Sequence, residues 1–524
     1  MKEENLKLLK GDLLENGMVS EVLPEYINTN GLSNIKFRGV SKKIGASAMT
    51  VNLLKNDGGN RVICLPNPIL YQQCIETIFN KKEMFLDVIN KIEKNEYSHS
   101  KILAEDNLFN IPIKNNKSKY MESLREKMYL SIGKKYKLKY DIEKFYDSIY
   151  THYLPAGFIG FSESLNMYRG NKEKSKIYNY MCEIDSSMRN MNNKETKGII
   201  TGPFVSRIFS ELLQTEIDNE IVERIKTNKY RRYVDDGEIF LNTVDEAERD
   251  IEILKNIFQK YKLSLKMEKT EIRRIPYIDF SSLKEILNIR KVKNKQKNGW
   301  YFASQDDFFE TISKAEKMQK NGKKGTLKYI FKVLNGQKNE YGINKNYTDK
   351  NNSFFYLLNY IIIYPQYAKE ILKIVDRQIQ YVPESCKILN DFLKQSIIGN
   401  QELVSLYIIQ TLVRNCLEID ENTVIEYIKK NDNNTNEILK ASFLNYLCEK
   451  NLSKKYNDNI IEYRESLRGE KGFCFCLENW LSLYILFFHD YISEDEFIDE
   501  KNVINNLRSY KRNNIKFINF NLIM

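Results

Sequence analysis

The segment Tyr230-Arg-Arg-Tyr-Val-Asp-Asp-Gly-Glu-Ile-Phe240 constrains this chain more than any other. Two short runs of β-forming residues flank an acidic pair with glycine directly behind it. The pattern predicts two strands meeting at a tight turn, with Asp235 and Asp236 at the tip. Adjacent carboxylates there repel each other and resist ionisation unless a cation binds, which suits a divalent ion such as Mg²⁺ that prefers oxygen ligands. Read alone, the segment is more simply an ordinary solvent-facing hairpin. A third acid separates the two readings. Asp141 lies near the end of an expected strand, Tyr136 to Ile142, and Phe145-Tyr146 then turns the chain back into the core. If the two strands lie side by side, Asp141 meets Asp235, and the set can hold two cations ~3.5 to 4 Å apart, the spacing used for in-line phosphoryl transfer. One ion would activate a 3′-hydroxyl and the other would stabilise a leaving pyrophosphate.

The rest of the composition supports oxygen as the ligand type. Eight cysteines are scattered, with only Cys474 and Cys476 close together, and the chain has three histidines, so no cluster has zinc-site spacing. The cysteines are expected as reduced core residues. With 524 residues, 42% of them apolar, the chain is long enough for more than one folded domain. Its most apolar run, Leu481 to Phe488, falls far short of the ~20 residues that span a bilayer. Met1-Lys2-Glu3-Glu4 opens no apolar signal core, so no membrane partner and a cytoplasmic location are expected. The net charge is +11, nearly all of it in residues 1–300. The densest basic segment, from Lys114, Lys117 and Lys119 to Lys134, Lys135, Lys137 and Lys139, reads either as a polyanion-binding surface or as a solvated face.

Along the chain, Met49 to Lys55 and Arg61 to Leu65 read as a hairpin around Asn56-Asp57-Gly58-Gly59-Asn60. After Pro203, Val205, Ile208, Leu212, Leu213, Ile217 and Ile221 recur at helical steps. From about Trp300 the pattern turns to successive helices, Phe354 to Val375, Leu403 to Leu417, Thr423 to Lys430 and Phe473 to His489 among them, parted by loops such as Asn431 to Asn436. The expected organisation is therefore α+β in residues 1–290 and an all-α, HEAT-like helical repeat in residues 300–524, with the seam at Arg290 to Gly299.

Five ordered motifs carry a resemblance. Lys55…Gly59…Arg61-Val-Ile…Pro66 resembles the fingers signature of prokaryotic reverse transcriptases. Asp141 to Phe145-Tyr146 resembles their motif A, Gly202 to Ser206 motif B, Tyr233-Val-Asp-Asp236 motif C, and Leu263-Ser-Leu…Glu268-Lys269-Thr270 motif D. Phe145-Tyr-Asp-Ser-Ile-Tyr-Thr-His152 with Tyr153-Leu-Pro155, together with Glu195-Thr-Lys-Gly198 to Pro203, Ser206 and Glu211, is similar to the abortive-infection, AbiK-like group of bacterial antiphage polymerases. The resemblance implies a right-hand palm and fingers, with the helical part replacing a conventional thumb.

It further implies a DNA polymerase that uses two Mg²⁺ ions, Mn²⁺ substituting. Synthesis from dNTPs would be template-independent and primed from a protein tyrosine, giving single-stranded DNA attached to a homo-oligomer. The alternatives are copying of a dedicated noncoding RNA, which would make RNA a partner, and a nonenzymatic nucleic-acid-binding scaffold. By position, Asp141, Asp235 and Asp236 would be the catalytic metal carboxylates, with the Ile142 carbonyl an added ligand. Lys55 and Arg61 would clamp the triphosphate, Tyr146 would stand where a ribose 2′-hydroxyl is excluded, and Gly202, Ser206 and Lys269 would complete the nucleotide site. Two positions depart from the ordinary family. Thr201-Gly202 stands where Gln-Gly is usual, removing a glutamine that shapes the template side, and Ser206-Arg207 replaces Ser-Pro. Ala156 follows Pro155, where the AbiK-like group usually has tryptophan.

Overall fold

The computed structural model describes residues 3–54, 59–101, 104–105, 108–109, 123, 125–275, 291–294, 299–302, 305–321, 325–335, 341–342, 350–430 and 435–523. After helix α1 (Glu3–Asn16), strands β1 (Met49–Leu54) and β2 (Asn60–Leu65) pair antiparallel, from Met49 opposite Leu65 to Leu54 opposite Asn60. This is the expected hairpin. Its alternation buries Met49 and Val51 and leaves Thr50 and Asn52 outside. The expected clamp residue Lys55 lies outside the described residues. Helix α2 (Pro68–Phe79) starts where the Asn67 side chain accepts from the Ile69 amide and proline fills the first turn, and α3 (Lys82–Glu93) follows.

The central sheet has four antiparallel strands: β3 (Tyr136–Asp141), β4 (Tyr230–Tyr233), β5 (Asp236–Leu241) and β6 (Glu271–Arg274), in the order β4-β5-β3-β6. Non-local pairing places β3 between two strands that follow it by roughly a hundred residues or more. Helix α4 (Lys176–Asn190) packs on α2, while α5 (Phe204–Ile225) and α6 (Val244–Lys260) pack against the sheet. Helix α5 begins directly after Pro203, as its spacing predicts, and ends where Lys226 turns left-handed at φ 58°. The Thr243 side chain caps α6 by accepting from Glu246, and Asp245 and Glu246 occupy its positively polarised first turn.

The described part of the expected seam is not a plain linker. β7 (Lys291–Asn294) pairs antiparallel with β8 (Gly299–Phe302), and β9 (Tyr341–Gly342) joins β8 in parallel, so the C-terminal part, though mostly helical, carries a small sheet. Helices α7 (Gln305–Lys320), α8 (Thr326–Leu334), α9 (Lys350–Ile363), α10 (Ala368–Val375), α11 (Ser385–Ile398), α12 (Glu402–Arg414), α13 (Glu421–Lys429), α14 (Glu437–Glu449), α15 (Asn457–Ser466), α16 (Trp480–Phe488) and α17 (Lys501–Arg512) then follow, many packed on the next in sequence.

Two expected helices are corrected. Phe354 to Val375 is broken by a single 3₁₀ turn at Pro365–Tyr367, because proline disfavours helix at the residue before it. Phe473 to His489 is helical only as α16. Phe473 bridges to Phe497 after a turn with Gly472 at φ 138°, and the Asp499 carboxylate accepts from the Phe475 amide and the Cys474 thiol. All eight cysteines are free thiols.

One hydrophobic core runs from the N-terminal segment into the C-terminal helices. Tyr26 donates to the Leu406 carbonyl, Tyr407 donates to the Val22 carbonyl, and Asn67 donates to the Phe475 carbonyl. Among the described residues no helix is long and apolar enough to cross a membrane.

Candidate active site

Sheet register, not sequence distance, builds the site. Asp141 is the last residue of β3 and stands directly opposite Asp236, the first residue of β5. The Ile142 amide donates to the Asp235 carbonyl (3.1 Å), tying the end of β3 to the turn. Asp141, Asp235 and Asp236 are thereby brought together. Burial first, then repulsion by Asp141 and Asp236, pushes the Asp235 carboxyl above its ordinary value, and Arg61 on the hairpin partly offsets this. Burial likewise raises Asp236; Lys139 opposes and Asp141 reinforces the shift.

Two ammonium groups answer the acidic cluster. Lys269 Nζ donates to Asp141 Oδ2 at 2.9 Å, a bond that raises the lysine's own pKa, and Lys139 Nζ lies 3.7 Å from Asp236. Lys269 is thus a partner of Asp141 in this structure. Among the described residues no group of three or more His, Cys, Asp or Glu side chains is arranged to hold a metal ion. The basic segment is partly spent on ion pairs as well, since Lys137 binds Glu238 at 3.1 Å; Lys114, Lys117 and Lys119 lie outside the described residues.

The remaining expected residues fall around this cluster. Arg61, opposite Leu53 in the hairpin, is exposed and within electrostatic reach of Asp235. The Tyr146 hydroxyl lies near Ser210, Arg207, Glu211 and Asp235, and burial raises its pKa. Gly202 sits at φ 137°, and a methyl there would stand 2.6 Å from the Cys64 carbonyl; beside it the Cys64 amide donates to Thr201. Ser206 is buried on α5, and its Oγ finds no hydrogen-bond partner among the described residues. His152 pairs with Asp185 at 2.9 Å, and Arg189 holds the other oxygen of that carboxylate.

The glycine behind the acid pair has a packing reason. A Cβ on Gly237 would lie 2.2 Å from Tyr140 Cζ. Tyr140 is fully buried and its hydroxyl is bonded to that of Tyr230 at 2.7 Å, so the ring has nowhere to go. Gly237→Ala is therefore expected to cost about 1–3 kcal/mol of stability and to displace the carboxylates, read as a lower melting temperature together with weaker nucleotide incorporation.

Sequence reasoning passed over the support beneath the turn. Val234 adopts φ 54°, a conformation that a β-branched residue rarely tolerates. Its amide donates to Ser100 Oγ (2.8 Å) and its carbonyl accepts from Arg232 Nη1 (2.9 Å). Arg232 is fully buried and also binds Glu211 (2.8 Å) and Asp218 (2.9 Å) on α5. Ser98 and Ser100 donate to Glu211, and Asn95 and Tyr230 to Asp218. The available signal was spacing: Glu211, Gln214, Thr215 and Asp218 recur at helical steps, a polar face on a helix whose other positions carry an apolar stripe.

Residues 54–286 match the family model for reverse transcriptase (RNA-dependent DNA polymerase). The chain thus carries a reverse-transcriptase domain, that of a nucleotidyltransferase of DNA-polymerase type. No curated protein matches the chain. Among solved structures, apo telomerase from Candida tropicalis lacking its C-terminal domain aligns at 17% identity, covering 46% of this chain and 52% of that one, with a TM-score of 0.31. Telomerase from Candida albicans in complex with a TWJ fragment of telomeric RNA aligns at 12% identity, covering 78% and 67%, with a TM-score of 0.31. Another structure of apo telomerase from Candida tropicalis aligns at 13% identity, covering 73% and 64%, with a TM-score of 0.32. The chain spans about half to two thirds of the length of these telomerases.

Proposed function

We propose that Asp141, Asp235 and Asp236 are the catalytic carboxylates of the reverse-transcriptase domain, which adds deoxynucleotides to a growing 3′ end. The observation that carries this reading is the register that sets Asp141 opposite Asp236 at the turn bearing Asp235. The donor set fits hard divalent cations. It is all oxygen, two of its carboxyls are raised by burial and mutual repulsion, and two ammonium groups already offset its charge. Asp141, Asp235, Asp236 and the Ile142 carbonyl would hold two Mg²⁺ ions, with Mn²⁺ as substitute, once Asp141 releases Lys269. Bound there, such ions supply activation of a 3′-hydroxyl and charge neutralisation on pyrophosphate.

The chain's own side chains do the rest. Arg61, with Lys55 on the other side of the hairpin turn in the sequence, grips the triphosphate; an arginine fork can make two parallel bonds to phosphate. Tyr146 fills the space of a ribose 2′-hydroxyl and selects deoxynucleotides. Gly202 and Ser206 shape the floor of the nucleotide site, and the freed Lys269 ammonium neutralises pyrophosphate.

The finer reading is a bacterial, cytoplasmic antiphage polymerase of the AbiK-like group. It would be a homo-oligomer that works without template and starts DNA on a tyrosine hydroxyl, with residues 1–290 as fingers and palm and residues 300–524 in place of a thumb. Thr201 in place of the template-side glutamine supports untemplated synthesis. Purified protein incubated with each dNTP and Mg²⁺ or Mn²⁺, with neither template nor primer, should incorporate label that travels with protein until protease digestion. Incorporation that appears only when RNA is added would replace this reading with templated copying, and no incorporation under any of these conditions would leave only a nucleic-acid-binding scaffold.

A further inference from the structure

The β1–β2 hairpin carries the proposed phosphate clamp, yet two strands alone are marginal in water. Both of its outer edges are held. The β2 edge is tied to the loop before α5, where the Cys64 amide donates to the Thr201 carbonyl at 2.7 Å. The β1 edge is tied to the C-terminal helices by two side chains. Glu402, in the first turn of α12, accepts from the Asn52 amide at 2.7 Å. Asn436, the N-cap of α14, donates from Nδ2 to the Thr50 carbonyl at 2.7 Å while its Oδ1 accepts from the Leu439 amide at 3.1 Å.

These two bonds satisfy a backbone donor and a backbone acceptor that would otherwise form an open strand edge. They also fix position. Asn52 pairs with Val62, and the next pair along is Leu53 with Arg61. Arg61 in turn reaches Asp235 electrostatically. A continuous line of hydrogen bonds and strand pairing therefore runs from the starts of two C-terminal helices, through the edge of β1, to Arg61, whose charge acts on Asp235.

We propose that Glu402 and Asn436 are positioning residues of the nucleotide clamp, so that the C-terminal helices set where Arg61 stands over the catalytic carboxylates. The proposal rests on the polymerase reading and on Arg61 as its phosphate ligand. It assigns the helical part a role in nucleotide affinity, through the fingers.

Asn436→Asp separates this role from folding. Aspartate caps a helix as well as asparagine does, but it has no donor for the Thr50 carbonyl. Glu402→Ala removes the other tie, and Glu402→Gln keeps a side-chain acceptor and serves as the rescue. In the full-length protein, Asn436→Asp and Glu402→Ala should each raise KM for the four dNTPs at saturating Mg²⁺ by roughly five- to tenfold, with kcat within about twofold, the worth of one lost hydrogen bond expressed in binding. Glu402→Gln should restore KM to near the parent value. Amide exchange across Met49–Leu54, read with no nucleotide present, should quicken in the first two variants and not in the third.

Faster exchange with an unchanged KM would overturn the proposal, as would unchanged exchange. A loss confined to kcat would overturn it too. A parent protein that incorporates no nucleotide would bring down the polymerase reading together with this one, whereas an active parent with insensitive variants brings down this one alone.

Discussion

Asp235→Asn should reduce nucleotide incorporation by about three orders of magnitude or more while leaving the metal-free protein at least as stable as the parent. The first half follows from position. Asp235 stands at the turn next to Asp236, which pairs with Asp141, and a neutral amide there takes away one of the three charges on which cation binding depends. The second half follows from the direction of its pKa. Burial and two neighbouring carboxylates hold the Asp235 carboxyl above its ordinary value. A carboxyl raised on folding binds more protons folded than unfolded between the ordinary value and the raised one, so stability falls as pH climbs through that window. At neutral pH the ionised Asp235 therefore works against the metal-free fold, and the amide removes that cost. The turn survives the change, because Asp235 is tied to the Ile142 amide through its backbone carbonyl. Melting in EDTA tests stability; melting with added Mg²⁺ tests the site, since the parent should gain stability from the ion and the variant should gain less. A variant that melts lower in EDTA, or that keeps the parent rate, would contradict the assignment.

Much of this site could be read from the sequence because its parts are local. The strand ending at Asp141, the hairpin from Met49 to Leu65, the helix after Pro203 and the turn at Asp235 each announce themselves by alternation, proline or glycine within a dozen residues. Order alone then suggested that the acids meet. What spacing could not supply was the partner of each charged group. Lys137 and Lys139 belong to a basic segment in sequence, but on neighbouring strands they face Glu238 and Asp236. Lys269 belongs to the last of the motifs in sequence and in space lies on Asp141, in the first strand of the sheet. The C-terminal helices were visible as apolar periods, yet Pro365 and Gly472 broke two of them, and a short sheet at Lys291–Asn294 and Gly299–Phe302 has no periodicity long enough to stand out. Contacts such as Asn436 with Thr50 join residues almost four hundred positions apart, beyond the reach of any local pattern.

Arg232→Leu should be the most destabilising single change beneath the site, costing about 3–5 kcal/mol. The guanidinium is wholly buried and serves Glu211, Asp218 and the Val234 carbonyl at once. Removing it strands two carboxylates in the core, one of which, Asp218, is itself completely buried. It also frees a turn whose left-handed valine is a conformation worth roughly 1–3 kcal/mol of strain. Ser100→Ala weights that second effect. It removes the hydrogen bond to the Val234 amide and the one Ser100 gives to Glu211, but leaves the Arg232 ion pairs with Glu211 and Asp218 in place, so it should cost about 1–3 kcal/mol of stability, less than Arg232→Leu, yet lower incorporation measurably. The network also predicts how the parent responds to acid. Burial pushes the Glu211 carboxyl up, but Arg232, Ser98 and Ser100 outweigh it and hold the group below its ordinary value. A carboxyl depressed on folding contributes stability above its unfolded pKa and loses it as pH falls toward the folded one. Denaturant unfolding across the acid range should therefore show a steeper loss in the parent than in Glu211→Gln, where the ionisable partner is gone and only the lower, flatter stability remains. If Arg232→Leu folds as firmly as the parent, or if Ser100→Ala leaves incorporation untouched, the buried arginine is packing alone and the strained turn that presents Asp235 holds itself.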